Sequence, residues 1–488
     1  MKYGVAFLLP MVFVLLTRPW LDNDSWFVLA EGRYIVNNGV YFTDVLSMHE
    51  GLNIVVQQYG FAVIFWLVYS VAGPIGLYVS MLVLNFLVCF LIYKICMLIS
   101  KGNVDLSLLI MVITDFFLAI NQFLVTRAQV VSYAIFLVLI FLLELYIERK
   151  NRKYLYPIPI LSLVQINLYA SLWPMILLVL GVYIIDSFKV PKLHLQGYNT
   201  KPLIIILIIS FIVGILNPYG IKMMTFILTS YGIDTIFSMV GEMTAFNLRN
   251  RFNILTYMAI VFVILAYIFG KRKNIRIRYL LMFFGFLALG INSIKGLSQL
   301  FLVMFIPLAL LFKDVRFEKG GKKIEKIKKA VIGWGGVMTV VSAAILMVGV
   351  LGRLDDMPDK ISREGVDKID ESVEMRGESK EELRIYTGYD DGGYLEFRGY
   401  KPYLDPRAEV FIKKNNEKED ILDEWVDCRL GRIDKGEFLE KYDFDYLFVR
   451  GEQDPLYKLE DEKYEKIYED KSMETEVYRR VVEERSEG

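Results

Sequence analysis

Apolar runs recur about a dozen times along the first 351 residues, and this recurrence restricts the chain to a fold built in a bilayer. The runs fall roughly at 3–17, 58–73, 75–99, 105–124, 130–147, 155–169, 172–187, 202–216, 253–270, 277–292, 296–312 and 331–351. Hydrophobic residues make up 55% of the 488. The mean hydropathy of +0.41 is too apolar for an ordinary soluble protein. Several runs are shorter than the ~20 residues a straight span needs, which suits oblique or re-entrant helices shielded by neighbours. Charge sits in short clusters between runs up to Val350, then becomes dense from Leu351 to Gly488, where the runs vanish. The expected organisation is a polytopic α-helical membrane domain over 1–351 and a small soluble α/β domain over 352–488.

Lys and Arg together number 55, as do Asp and Glu. The net charge therefore says nothing about nucleic acid, and no nucleic-acid partner is expected of such a membrane protein. Three cysteines exclude a disulfide framework. Cys89 and Cys96 are seven apart in one apolar run and read as packing residues. His49 and His194 lie far apart, which argues against a histidine-based zinc site. Lys2 and the run after it resemble a signal peptide, but no small-x-small site precedes Thr17-Arg18-Pro19. The expectation is an uncleaved first span.

Clusters of Lys and Arg mark cytoplasmic loops. The clear ones are Arg149–Lys153, Lys189–Lys201, Lys271–Arg278 and Lys313–Lys329, each pair separated by an even number of crossings. They put Asn167–Ser171, Asn217–Arg251, Asn292–Gly296 and the tail after Leu351 outside, and Arg127 as well. With a cytoplasmic N-terminus, the loop over 18–58 is also outside. An odd number of crossings must then link Gln58 to Lys94. One of the two runs there, by this reading Tyr59–Gly73, does not cross and lies in the interface or re-enters. An outside N-terminus with a cytoplasmic loop is the alternative, opposed by Lys2 alone.

That loop carries the densest polar signal before the tail: Asp22-Asn-Asp24-Ser-Trp26, a helix-like run from Phe27 to Asn38, then Gly39 and Asp44. Carboxylates at the end of a first span sit where a lipid-borne substrate can meet them. No Walker motif, dinucleotide fingerprint or nucleophile elbow appears.

Asp22-Asn-Asp24-Ser-Trp26, Ala30-Glu-Gly32-Arg33-Tyr-Ile35, Gly39 and Asp44-Val-Leu-Ser47 together resemble the first loop of a bacterial group of polytopic proteins with the GT-C glycosyltransferase architecture. Arg127-Ala-Gln129, Leu216-Asn217-Pro218-Tyr219-Gly220, Gly392-Gly393-Tyr394-Leu395 and Leu404-Asp405-Pro-Arg407 match further elements of that group in order. The resemblance implies a GT-C-like fold of about 11 spans plus interfacial or re-entrant helices, with a C-terminal extracytoplasmic α/β domain. It is similar in this to oligosaccharyltransferases, protein O-mannosyltransferases and aminoarabinose transferases. It also implies a hexosyltransferase of the plasma membrane, N-terminus cytoplasmic, using a polyprenyl-phosphate-linked sugar donor and a glycan, lipid or protein acceptor. Gln57-Gln58-Tyr59-Gly60 replaces a His-Glu-Trp-Leu-like element, and Asn167-Leu-Tyr169-Ala170 replaces Asn-x-His-Gly. These departures favour the rival expectation, a non-catalytic scaffold or accessory protein of envelope assembly. A solute transporter is disfavoured by the large first loop and by the lack of an inverted repeat.

The chemistry so implied needs a base or orienting acid, cations to neutralise the leaving phosphate, and an apolar groove. By analogy Asp24 is the first catalytic candidate and Asp22 the second; the competing reading makes either an N-cap of the following helix. Arg33 and Arg127 are candidates for the phosphate because of the planar guanidinium fork, against simple snorkelling. Lys295, Arg249 and Arg251 are further phosphate candidates. Asp44 is a candidate substrate ligand or a turn residue, and Glu242 a candidate substrate or metal ligand. A divalent ion, magnesium or manganese, is compatible with the reaction, and its ligands are undefined. Asp115, deep in a run, reads as a structural acid paired with another span.

In the tail, the alternation Leu383–Tyr386 and Tyr394–Arg398 predicts two strands around a Gly392-Gly393 turn, continuing through Lys401–Phe411. Residues 417–441 read as helical, Tyr446–Val449 as a buried strand, and the pairs near Tyr464 and Glu476 as a last hairpin. Asp405 with Arg407 reads either as a ligand pair or as a surface ion pair.

Overall fold

The computed structural model describes residues 2–17, 21, 23–188, 198–230, 253–270, 275–315, 341, 344, 345, 348 and 362–481. Asp22, Glu242, Arg249, Arg251 and most of the run at 331–351 lie outside the described residues. Every other expected apolar run is helical. In chain order the helices are α1 (Lys2–Thr17), α2 (Asn23–Asn38), α3 (Tyr59–Ile99), α4 (Val104–Ile120), α5 (Ala128–Arg149), α6 (Ile158–Leu168) and α7 (Pro174–Asp186). There follow α8 (Thr200–Val213), α9 (Ile221–Ser230), α10 (Asn253–Phe269), α11 (Ile277–Asn292), α12 (Leu297–Met304) and α13 (Ile306–Leu311). Among the described residues, three stretches are long and apolar enough to cross a membrane: Tyr59–Ile99, Ala128–Arg149 and Ile294–Leu311.

The α3 stretch is two helices joined at Gly73, whose φ of 59° and ψ of −156° only glycine adopts without strain. Pro74 follows and removes an amide donor at the break.

The chain divides into two compact units. One comprises residues 1–19, 74–225 and 237–355; the other comprises 20–73, 226–236 and 356–488. The loop after α1 therefore shares a unit with the C-terminal segment.

The first unit is helical, with large side chains such as Tyr133, Tyr183, Phe283 and Phe301 fully buried. On α8 and α10 the apolar residues continue around the outside: Ile204, Ile205, Ile208 and Ile212, then Ile254, Met258, Val261 and Phe262, are exposed. Helices apolar on all sides suit a lipid surround. Arg278, expected among loop charges, is instead buried between helices. Its Nε donates to Glu144 Oε1 at 2.8 Å and its Nη1 to Asp186 Oδ2 at 2.9 Å, fastening α5, α7 and α11 together. Asp115 is fully buried and accepts from the Cys89 thiol at 3.2 Å, so Cys89 does more than pack.

The second unit holds a five-stranded sheet, β1 (Arg384–Thr387), β2 (Lys401–Pro402), β3 (Tyr446–Arg450), β4 (Tyr464–Asp470) and β5 (Thr475–Arg480), in the order β2-β1-β3-β5-β4. β1 runs parallel to β2 and β3, and β3–β5 and β5–β4 are antiparallel. Helices α14 (Arg363–Arg376), α15 (Gly392–Arg398), α16 (Ile421–Arg429) and α17 (Lys435–Tyr442) belong to the same unit, as does α2. Ser362 caps α14 by accepting from the Gly365 amide, and Asp434 caps α17 by accepting from Gly436 and Glu437. The last hairpin and the buried strand lie where the sequence predicts. Tyr394–Arg398 does not form a strand but the helix α15. Five residues of alternation fit either element, and here the Tyr394 hydroxyl accepts from Arg398 at 3.0 Å across one helical turn. Nor does the strand pattern run on through Phe411. Only Lys401–Pro402 pairs, and Pro402 and Pro406 offer no ladder donors.

Candidate functional site

Within the second unit, α2 begins one residue before Asp24 and carries it in its first turn, where the helix dipole favours a carboxylate. Asp24 is half-buried. The turn rests directly on α15: a Cβ at Gly393 would meet the Asn23 carbonyl oxygen at 2.8 Å and the Phe27 amide at 3.2 Å. Gly392 is as tightly placed, with the Leu404 carbonyl oxygen 2.0 Å from where its Cβ would stand. These glycines thus open a helix and permit close contact rather than forming the expected turn. Trp26 completes the junction, edge-on to Tyr394 at 5.0 Å and tilted against Phe397 at 4.9 Å. Nearby, the Tyr389 hydroxyl donates to the Pro406 carbonyl at 2.8 Å. Burial first, and then the Asp24 carboxylate, hold that phenol well above its usual value.

Two turns beyond Asp24 on the same face of α2 stands Glu31. It belongs to a buried cluster centred on Arg407. The guanidinium donates through Nη1 to Asp44 Oδ1 at 2.8 Å and through Nη2 to Glu396 Oε1 at 2.8 Å. It also donates to both oxygens of Asp405, from Nε at 2.9 Å and Nη2 at 2.7 Å. Glu31 Oε1 lies 3.9 Å from Nη1 and accepts from the Tyr41 hydroxyl at 3.4 Å. Asp44 Oδ2 accepts from the Ser47 amide at 3.0 Å. All five charged residues are at most 6% exposed, so the Asp405–Arg407 pair is not a surface pair.

The charges respond to this burial. Burial raises Asp44, but Arg407 and the Ser47 hydrogen bonds outweigh it and bring the carboxyl below its usual value. Burial pushes Glu31 up to about 8, with Arg407 opposing and Glu409, Asp405 and Asp44 reinforcing. Burial also holds Glu396 well above the usual range, against Arg407 and with the help of Asp405. Arg407 is lowered by burial, yet the surrounding carboxylates raise it well above its ordinary value. The Oε2 atoms of Glu31 and Glu396 are buried without a hydrogen-bond partner.

The remaining candidates are dispersed. Arg33 donates to the Glu396 carbonyl at 3.1 Å, with its guanidinium 5.8 Å from the Trp66 ring and 5.5 Å from that of Phe397. Gln57, at one of the departures from the motif, donates to Glu409 at 3.2 Å. Arg127 and Lys295 belong to the helical unit. Arg127 is the half-buried residue at the start of α5, and Lys295 lies in the 3-10 turn Ile294–Gly296 ahead of α12. Asp22 and Glu242 lie outside the described residues. Among the described residues, no three His, Cys, Asp or Glu side chains are grouped to hold a metal ion. No step is therefore assigned to magnesium or manganese.

Glu31 and Glu396 were not singled out from the sequence. Their signal was the placement of an acid on an otherwise buried helix face, legible only once the faces are known. A second, partly buried pair lies near the ends of two parallel strands: Arg450, ending β3, is 2.7 Å from the buried Asp391 in the loop after β1. No family model matches the chain, and no curated protein matches it.

Proposed function

We propose that this chain is a GT-C-type integral membrane glycosyltransferase that moves a sugar from a polyprenyl-phosphate carrier to an extracytoplasmic glycan, lipid or protein. The observation that carries the reading is the setting of Asp24. It is a half-buried acid in the first turn of α2, and its neighbours Asn23 and Phe27 in that helix lie against Gly393 of a second motif in the same compact unit. In the proposed reaction the acceptor hydroxyl attacks the anomeric carbon, the bond from that carbon to the phosphate oxygen breaks, and Asp24 takes the hydroxyl proton. Cations are needed to neutralise the departing phosphate, and Arg33, on the same helix as Asp24, is the candidate within that unit. The apolar spans supply the surroundings for the isoprenoid.

The test compares surface glycans of cells carrying the wild-type chain, a deletion, and Asp24→Asn at equal protein level. Deletion is expected to remove or alter one glycan, and Asp24→Asn to match the deletion. Full rescue by Asp24→Asn removes the catalytic assignment. The second reading, an accessory scaffold of envelope assembly, then takes its place. It is favoured by the use of Gln57 in a contact with Glu409 at a position where the resemblance expects a motif element.

A further inference from the structure

The Arg407 cluster contains more acid than a single guanidinium can balance. Four carboxyls, from Glu31, Asp44, Glu396 and Asp405, face one cation in a space closed to water. The other polar groups around it do not correct the excess. Tyr41 donates one hydrogen bond to Glu31, Glu409 adds a further acid, Arg33 donates to the Glu396 main-chain carbonyl, and burial lowers His49 although Asp44 and Asp405 favour its cation. Burying unpaired carboxylates is costly enough that such groups keep a proton instead. Glu31 Oε2 and Glu396 Oε2 are buried without a hydrogen-bond partner, and the neighbouring Asp405 carboxyl favours the neutral form of Glu396.

The partners come from two distant parts of the chain. Glu31 and Asp44 belong to α2 and the loop after it; Glu396, Asp405 and Arg407 belong to the C-terminal segment. We propose that this cluster is a proton-controlled clasp: protonated Glu31 and Glu396 let the first loop dock onto the C-terminal segment, and their ionisation loosens it. The inference does not depend on the sugar-transfer reading. It does bear on Asp24, which rides on the same helix as Glu31.

The direction follows from linkage. Glu31 has its ordinary value of 4.5 when exposed and about 8 when docked, so the docked form holds the extra proton between those limits. Over that window the docked-to-undocked ratio falls about tenfold per pH unit for each such proton. Above about 8 both forms are ionised at Glu31 and its contribution levels off. Glu396 acts in the same direction. Asp44 acts oppositely: its docked value is depressed, so its contribution is lost only when acid protonates it and deprives Arg407 of a partner. His49, docked on the Tyr403 carbonyl near Asp44 and Asp405, is lowered by burial and opposes this trend below its ordinary value of 6.5, so the loosening is read between about pH 6.5 and 8.

Amide hydrogen exchange of the full-length protein in lipid nanodiscs tests this, read over residues 25–57 between pH 6.5 and 8 after correction for intrinsic rates. In the wild type, protection is expected to fall by at least about tenfold per pH unit. In Glu31→Gln, which keeps the shape and cannot ionise, the fall is expected to be shallower by about tenfold per unit. Equal slopes in the two proteins, or protection rising with pH in the wild type, overturn the clasp. Should Glu31→Gln fail to accumulate, Glu396→Gln is read by the same criterion.

Discussion

Arg407 is the residue on which the most charge depends. Its guanidinium satisfies three carboxylates within 2.9 Å, and the backbone amide of the same residue also donates to Asp405 at 2.8 Å. Removing one member of a buried ionic group strands the others, which costs more than the group contributes when whole. Arg407→Met leaves four acids without a cation and is expected to destabilise the second unit by about 3–5 kcal/mol. Thermal unfolding of the detergent-solubilised protein measures it. The exposed pair Lys463–Glu440 is the contrast, 3.0 Å apart but open to water on both sides. Lys463→Met should change stability by no more than ~0–1 kcal/mol, and an effect as large as that of Arg407→Met there would discredit burial as the cause.

At the scale of elements, the contact between α2 and α15 depends on a missing side chain. Gly393→Ala puts a Cβ 2.8 Å from the Asn23 carbonyl, so one of the two helices must move. The expected cost is ~1–3 kcal/mol, in the range of overpacked cores. Gly181 in α7 has nothing within 4 Å of its would-be Cβ. Gly181→Ala should be neutral or stabilising by up to about 1 kcal/mol, because alanine is the better helix former. Equal effects at both positions would falsify the close-contact argument. The same pair of elements marks how far the sequence could be read. Hydropathy locates α1, α4, α5 and the other apolar helices because burial in lipid or core demands long runs, and β3 because a strand buried on both faces reads as a short continuous apolar run. α15 escaped because seven residues are too few for either period to prevail. Asp24, Asp44 and Arg407 were legible as motif residues, but their convergence was not. The hydrogen bond joining Asp44 to Arg407 spans 363 positions of sequence, and nothing local encodes it. The buried role of Arg278 was hidden for the same reason, since a basic residue beside other basic residues reads as loop.

For the whole molecule, the compact unit formed by residues 20–73 and 356–488 makes sidedness a single question. The packing of α2 on α15 predicts that the first loop and the C-terminal segment lie on one face of the bilayer. Asn38 and Glu452 are exposed members of that unit, and Lys153 is an exposed residue between α5 and α6. The three native cysteines are buried, so introduced thiols can be read against a low background. With an impermeant maleimide on intact cells, Asn38→Cys and Glu452→Cys are expected to react together, and Lys153→Cys only after permeabilisation, as the basic cluster at 149–153 requires. Reaction of Asn38 and Glu452 from opposite sides contradicts the shared unit itself. Reaction of both only after permeabilisation preserves the unit but puts Asp24 on the cytoplasmic face, where an extracytoplasmic acceptor cannot reach it, and the proposed transfer must then be given up while the Arg407 clasp stands.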